Sequence, residues 1–217
     1  MLLTDAIEEF KIDCKVRRLS ERTIENYNKQ HLYLARYLSA AFDVQQLEEV
    51  RAAHIKRFLL EKEEQGRKPH YVNDLLKAAK VFFKYCVDEG YLKSNPTAKI
   101  HNVKQPKVMI RTFNENEVLK MLNHFSGNDY FDLRDKAILA MFFDTGMRLN
   151  EVMTLRPEQI KEDYIIVWGK GSKERVVPLS PYLARLLMKY KVAKEMFLMK
   201  RTLHHKTMCF SPTVERK

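Results

Sequence analysis

Residues 144–152 read DTGMRLNEV and place one arginine, Arg148, between two helical patterns. Gly146 follows the amphipathic run 132–145, and a glycine just after a helix is favoured because it adopts positive φ at little cost. A second helical pattern follows and ends before Pro157, whose ring would break a longer helix. The stretch therefore predicts a sharp corner between two helices, with Arg148 held at that corner by the backbone.

The residue type at this corner suits the binding of a phosphate. A guanidinium is always charged and presents a rigid fork that matches two phosphate oxygens. Held by the backbone, Arg148 would be preorganised to stabilise charge that develops on a phosphoryl group. Taken alone, the corner favours an ion pair with Glu151 or Asp144 that only locks the two helices together, because structural ion pairs are common. The corner alone leaves both interpretations open.

A β-hairpin is predicted after the corner. The runs YIIVW (164–168) and RVVPL (175–179) are rich in β-branched residues, and GKGSKE (169–174) separates them with two glycines. Lys170 lies between these glycines, and a lysine there can protonate a leaving oxygen. A solvated charged turn is the simpler interpretation. The stretch lacks the GxxxxGK[ST] spacing, so we exclude a nucleotide-binding loop.

The charge balance favours a polyanionic partner. The chain has 217 residues with 39 Lys and Arg against 28 Asp and Glu, a formal net charge of +11. Residues 185–217 hold nine basic and only two acidic side chains. Neutralising phosphates releases counterions and supplies most non-specific affinity for nucleic acid. Solubility or another acidic partner would also account for the excess.

The rest of the chain is predicted to be mainly α-helical. Helical patterns precede Pro96 and run from about Thr4, from Ser20, over 51–64 and over 71–89. Residues 97–110 have no apolar period and read as a linker between a domain 1–96 and a domain 111–217. In the second domain, helices are predicted from Asn114, over 132–145 and from Ser180. Glycines 66, 90, 127 and 146 are each predicted to follow a helix end.

Several protein classes are disfavoured. The three cysteines (Cys14, Cys86 and Cys209) are odd in number and far apart, which argues against a disulfide framework. Their spacing to histidine suggests no metal site. The N-terminus lacks an apolar signal core, and the longest apolar run, AILAMFF, is too short to span a bilayer. We expect a soluble cytoplasmic protein.

The corner and the hairpin together resemble the tyrosine recombinase, or phage integrase, family. The resemblance rests on TGMRLNEVMTL (145–155) and IIVWGKGSKERVVPLS (165–180). The stretches LSERTIENY (19–27) and YVNDLLKAAKVFFKYCVDEGYLKSNP (71–96) resemble the family's N-terminal part. The resemblance implies an N-terminal four-helix SAM-like core-binding domain, a linker, and a partial α+β catalytic domain.

The resemblance also implies an activity and a role for each matching residue. Such enzymes cut and rejoin double-stranded DNA at specific sites through a 3′-phosphotyrosine, without metal or nucleotide cofactor. Arg148 matches the arginine that binds the scissile phosphate, and Glu151 the acidic residue that supports it. Lys170 matches the lysine that assists the leaving 5′-oxygen, with Lys173 as a competitor. A membrane partner is not implied, and a tetramer on DNA is expected only for a complete enzyme.

The sequence departs from the family pattern after the hairpin. The expected His-x-x-Arg motif is missing there, since neither His204 nor His205 has an arginine three positions later. The last tyrosine, Tyr190, lies on an amphipathic pattern that predicts packing. We therefore expect the chain to stop within the catalytic domain and to be inactive alone. A non-catalytic DNA-binding module, or remnant that competes at recombination sites, is the alternative, and a helical interaction protein is a third.

Four further basic residues are candidate DNA contacts. Arg22, Lys29 and Lys77 lie on predicted helices of the first domain, and Arg175 lies in the hairpin. A charged helix face that is simply solvated is the more common alternative for such residues.

Overall fold

The chain folds into two compact units, Met1–Met109 and Ile110–Lys217. A computed structural model describes residues 1–106, 109–169, 173–200 and 209–210. Its described residues are mostly helical, with one two-stranded antiparallel sheet. This confirms the predicted fold class.

Four helices build the first unit. They are α1 (Leu3–Val16), α2 (Glu21–Phe42), α3 (Ala52–Glu64) and α4 (Pro69–Asp88). Ser20 caps α2 as predicted, because its hydroxyl accepts the Thr23 amide at 3.3 Å. The predicted start at about Thr4 is one residue late, and Thr4 is not the N-cap. Instead α1 begins at Leu3, whose amide donates to the Gln45 carbonyl at 2.9 Å, so a long-range contact sets this end.

Aromatic side chains fill the core of the first unit. Phe10 lies edge-on to Tyr27, His31, Phe82 and Tyr85, with ring centroids between 5.2 and 5.8 Å apart. Fully burying a large apolar side chain contributes about 1.5–3 kcal/mol. Phe10 therefore joins α1, α2 and α4 into one core.

The start of the segment expected to be a linker packs onto the first unit. Ile100 is buried in its core, and Thr97 is fully buried beside it. Asn73 on α4 fixes the next part of the segment, since its amide donates to the Val103 carbonyl at 2.9 Å and accepts the Val103 amide at 2.8 Å. Residues 97–103 thus extend the first unit beyond Pro96.

The described part of the second unit combines four α-helices with a β-hairpin. The helices are α5 (Glu115–His124), α6 (Tyr130–Thr145), α7 (Leu149–Met153) and α8 (Pro181–Lys200). The strands of the hairpin are β1 (Tyr164–Trp168) and β2 (Glu174–Pro178), which lie between α7 and α8 in the chain. Asn114 caps α5 as predicted. The predicted start of α6 at 132 is two residues late, because the Asp129 carboxylate caps the helix by accepting the amides of Phe131 and Asp132. Gly127 was predicted to follow a helix end directly, but α5 ends at His124 and Gly127 does not have a positive φ. Its amide instead donates to Asp132 at 2.9 Å.

The hairpin and α8 close the second core. Ile165 and Val167 face inward on β1, while Val177 faces inward on β2. Tyr190 on α8 is 3% exposed, which confirms its predicted packing role. Its hydroxyl donates to the Cys209 carbonyl at 2.8 Å, and the Cys209 amide donates to Leu155 at 2.8 Å. Residue 209 is therefore tied to both α8 and the end of α7.

Candidate functional site

The predicted corner between α6 and α7 is present. Gly146 ends α6 with φ of 60°, a left-handed conformation that glycine adopts without strain. Met147 follows and is only 4% exposed, so it anchors the turn in the core. Arg148 then occupies the position just before α7 with extended backbone. The corner therefore fixes the Cα of Arg148 between two packed elements.

Glu151, in the first turn of α7, binds Arg148 twice. Its Oε2 accepts the Arg148 backbone amide at 2.9 Å, and its Oε1 accepts Arg148 Nη1 at 3.0 Å. The Glu151 side chain is 7% exposed, whereas the Arg148 side chain is 76% exposed. The predicted ion pair thus exists, and it leaves most of the guanidinium open to solvent.

Arg175 binds the same carboxylate from β2. Its Nη1 donates to Glu151 Oε1 at 2.9 Å and its Nη2 to Oε2 at 2.8 Å, a bidentate pair. Arg175 lies opposite Val167 in the hairpin register, on the face that packs inward. Its guanidinium is therefore directed at Glu151, and the assignment of Arg175 as a DNA contact stays a prediction.

We call Arg148, Glu151 and Arg175 the arginine cluster. Hydrogen bonds from Arg175, and after them those from Arg148, lower the pKa of Glu151 to about 2, outweighing the effect of burial. Glu151 is therefore ionised at neutral pH. One carboxylate between two guanidinium groups leaves the arginine cluster with a net charge of +1, and the exposed Arg148 presents that charge to an anion.

The structure describes only one of the two candidate lysines. Lys170 lies outside the described residues. Lys173 is exposed, and its backbone carbonyl accepts the Gly169 amide at 2.7 Å, which closes the hairpin above the strands. A side chain at position 169 would lie 3.9 Å from Arg175 Nη1, so this strand end runs close beside the arginine cluster.

The candidate DNA contacts of the first unit all lie on exposed helix surface. Arg22 and Lys29 are seven residues apart on α2 and therefore share a face, and Lys77 lies on α4. Lys29 pairs with Glu25 only at 3.9 Å, and both side chains are exposed. Arg36 was not predicted as a contact. It lies seven residues after Lys29, on the same face of α2, and is also exposed.

Neither a metal site nor a membrane-spanning helix occurs among the described residues. Within 1–106, 109–169, 173–200 and 209–210, no group of three or more His, Cys, Asp or Glu side chains is arranged to hold a metal ion. In the same part of the chain, no helix has both the length and the apolar character needed to cross a membrane.

Comparison with known proteins identifies both units. Residues 111–211 match the phage integrase family, and residues 7–90 match the phage integrase N-terminal SAM-like domain. Tyrosine recombinase XerD of Listeria monocytogenes is 27% identical over 87% of this chain, and XerC of Natranaerobius thermophilus is 30% identical over 80%. The matches cover 64% and 58% of those two recombinases, so the chain spans about three fifths of their length.

Solved structures show the same fold. A lambda integrase dimer bound to a COC′ core site superposes with a TM-score of 0.72 at 18% identity, covering 98% of this chain and 74% of that one. The Tn1549 transposon integrase in complex with circular intermediate DNA gives 0.68 at 14% identity, covering 87% and 64%. With the two family matches, this agreement leads to one conclusion: the chain belongs to the phage integrase, or tyrosine recombinase, family.

Proposed function

We propose that this chain binds double-stranded DNA as part of a site-specific recombinase, with Arg148 on a backbone phosphate. The observation that carries the proposal is the sharing of Glu151 by two arginines. Arg175 occupies both carboxylate oxygens, so Arg148 is positioned by Glu151 without being neutralised by it. An exposed, oriented guanidinium with net positive surroundings is suited to a phosphodiester.

In the proposed reaction, a tyrosine hydroxyl attacks the scissile phosphorus and the 5′-oxygen leaves. The bond to the tyrosine forms a 3′-phosphotyrosine, which conserves the energy of the broken phosphodiester for rejoining. Arg148 stabilises the charge on the non-bridging oxygens without having to reorganise. Lys170, or Lys173 in its place, gives the proton that the leaving 5′-oxygen takes up.

We also propose that this chain alone binds DNA without cutting it. Tyr190 is the last tyrosine in the sequence, and burial raises the pKa of its hydroxyl far above the ordinary 10. The hydroxyl also donates a hydrogen bond to the Cys209 carbonyl oxygen. Tyr190 is therefore unsuited to be the nucleophile, which favours a non-catalytic DNA-binding module as the second candidate function.

The proposed partner is duplex DNA, and further copies join only in a complete enzyme. A lambda integrase tetramer bound to a Holliday junction shares this fold with a TM-score of 0.68. For this chain, we propose assembly of that kind only together with the remaining two fifths of the recombinases' length.

Binding to a labelled duplex, followed by fluorescence anisotropy over a range of salt, tests the proposal. Arg148→Gln should weaken binding by about ten-fold and lower the salt slope by about one, as expected for one lost phosphate contact. Arg148→Lys keeps the charge but loses the two-pronged guanidinium, so its affinity for the duplex should lie between those of wild type and Arg148→Gln.

The control is Arg185→Gln, which removes an exposed arginine of α8 outside the arginine cluster. It should weaken binding clearly less than Arg148→Gln does. Equal losses in the two variants, or no duplex binding by the wild type at low salt, would overturn the proposal.

A further inference from the structure

A cleft of about 530 Å³ opens beside the arginine cluster. Glu151 forms part of its wall, together with Arg156 after α7, Gln159 in the following 3₁₀ turn, and the end of β1 at Val167 and Trp168. The volume lies in the range of pockets that hold small organic groups. Nothing in the proposed reaction uses this space.

The walls of the cleft are held in place by one side chain. Gln159 accepts the Arg156 amide through Oε1 at 2.8 Å and donates from Nε2 to the Ile166 carbonyl at 2.7 Å. These two bonds join the loop after α7 to the free edge of β1. The cleft is therefore built by the protein's own hydrogen bonds and does not need a ligand to form.

Its lining combines an apolar floor, an aromatic ring and a cation. Leu155 and Val167 are buried below, while Trp168, the only tryptophan of the chain, is 56% exposed at the wall. Arg156 is exposed, and no ion pair involving it occurs among the described residues. Nucleobases are flat, stack on aromatic rings and are also recognised by stacked guanidinium groups.

The position of the cleft fits a nucleotide next to the phosphate on Arg148. Glu151 contacts Arg148 at 3.0 Å and also lines the cleft, so the cleft adjoins the place proposed for the phosphate. Glu158 lines the cleft as well. Its carboxylate repels a phosphate inside the cleft and is able to accept a hydrogen bond from the amino group of a base.

Resting on the proposed function, we propose that this cleft receives one unstacked nucleobase of the bound DNA strand, stacked on Trp168 and beside Arg156. Enzymes that work on a duplex bind an extruded base most readily where it is already unpaired. The chain should therefore prefer duplexes that carry an unpaired base.

Trp168 emission reports on the cleft directly, because the chain has no other tryptophan. Three duplexes of one sequence serve as probes: fully paired, with one extra unpaired thymine, and with an abasic site in place of that thymine. The unpaired thymine should quench Trp168 emission, whereas the abasic and paired duplexes should not. Affinity for the bulged duplex should exceed that for the abasic one by about ten-fold, the scale of one base–aromatic stack.

Variants separate the cleft from general electrostatic binding. Trp168→Leu and Arg156→Gln should reduce affinity for the bulged duplex to that for the abasic duplex. The control Arg185→Gln should lower affinity for all three duplexes by the same factor. These variants are followed by anisotropy of labelled DNA, since Trp168→Leu has no tryptophan emission.

Two results would overturn the inference. If all three duplexes bind equally and Trp168 emission does not change, the cleft takes no base, although the proposed DNA binding stands. A polypeptide that fills the cleft would give this result. If no duplex binds at all, the cleft inference falls together with the proposed function.

Discussion

Arg175 on β2 binds both carboxylate oxygens of Glu151 on α7, at 2.9 and 2.8 Å, across 24 residues of sequence. The contact ties the hairpin to the corner that carries Arg148. It also decides the charge at that corner, because a carboxylate shared by two guanidinium groups neutralises only one of them. Arg148 is thereby oriented and still able to attract an anion.

Glu151→Gln should destabilise the second unit. The change replaces an ionised, buried acceptor of four hydrogen bonds with an amide that leaves two guanidinium groups facing each other. Hydrogen bonds to charged groups contribute about 1.5–3 kcal/mol each when buried, and the exposure of Arg148 lowers the total. We expect a loss of about 1–3 kcal/mol in the free energy of unfolding, measured by urea denaturation followed through Trp168 emission.

The same carboxylate gives a pH signature. Its pKa is lowered from 4.5 to about 2, so its contribution to stability is present above pH 4.5 and is lost as pH falls towards 2. Wild type should lose stability over this window more steeply than Glu151→Gln. Glu162→Gln, at an exposed position, serves as the control and should keep the wild-type slope. If the free energy of unfolding depends on pH in the same way in wild type and in Glu151→Gln, the ion pairs of Glu151 with the two arginines do not contribute to stability.

Arg175→Gln should weaken duplex binding although its side chain is turned towards Glu151. With Arg175 gone, Glu151 pairs with Arg148 alone and cancels its charge. We expect a loss of affinity close to that of Arg148→Gln, and partial recovery in Arg175→Lys, which restores the charge without the bidentate fork. Trp168 emission and a urea transition confirm that each variant is folded. An Arg175→Gln loss no larger than that of Arg185→Gln would contradict this indirect role.

His31 should make the first unit sensitive to acid. Its Nε2 lies 3.0 Å from the Ala78 carbonyl, so the neutral ring donates there, among Phe10, Tyr27 and Phe82. Burial lowers its pKa from 6.5 to about 4. His31 therefore binds a proton more readily in the unfolded chain than in the folded one. The free energy of unfolding should be highest above pH 6.5 and should decline as the pH falls towards 4.

Hydrogen exchange of peptides from α2 and α4, corrected for intrinsic rates, measures this decline. His31→Gln keeps a donor for Ala78 and should flatten the pH dependence. His70→Gln, which changes an exposed residue of α4, should retain it. An unchanged pH dependence in His31→Gln would assign the acid sensitivity to other groups.

The chain alone should form no covalent link to DNA. A pool of nicked duplexes with random sequence around the nick would trap any phosphotyrosine, because the cut strand diffuses away. Denaturing gels should show free protein only, since the Tyr190 hydroxyl is buried and hydrogen-bonded. A shifted band that maps to a tyrosine would disprove the prediction.

Local signals in the sequence predicted most of the helices, whereas contacts distant in sequence decided the rest. Ser20 and Asn114 cap helices through side chains that bond within three residues, which a sequence pattern reveals. The start of α1 depends on Gln45, which no local pattern indicates. Lys62 is buried beside the Tyr33 and Tyr37 rings. The sequence did not indicate this burial, because Lys62 lies in a run of polar residues.

The candidate site was predictable only in part. The Arg148–Glu151 pair is three residues apart in a first helical turn and was expected. The link from Arg175 to Glu151 requires the hairpin to pack against α7. Alternation along β2 did offer a signal, because Arg175 and Val177 are two residues apart and share the inward face. Lys170 lies outside the described residues, so its role stays a prediction.

The most direct test of the central claim is the side-chain NMR signal of Arg148 during titration with duplex DNA. Loss of one Nε–H resonance in Arg148→Lys assigns the signal. If Arg148 binds a backbone phosphate, this resonance should shift as duplex is added at low salt and return as salt is raised, while Glu151 keeps Arg148 in place. A resonance that stays unchanged while other arginines respond would show that DNA binds elsewhere and that Arg148 is only a structural part of its corner.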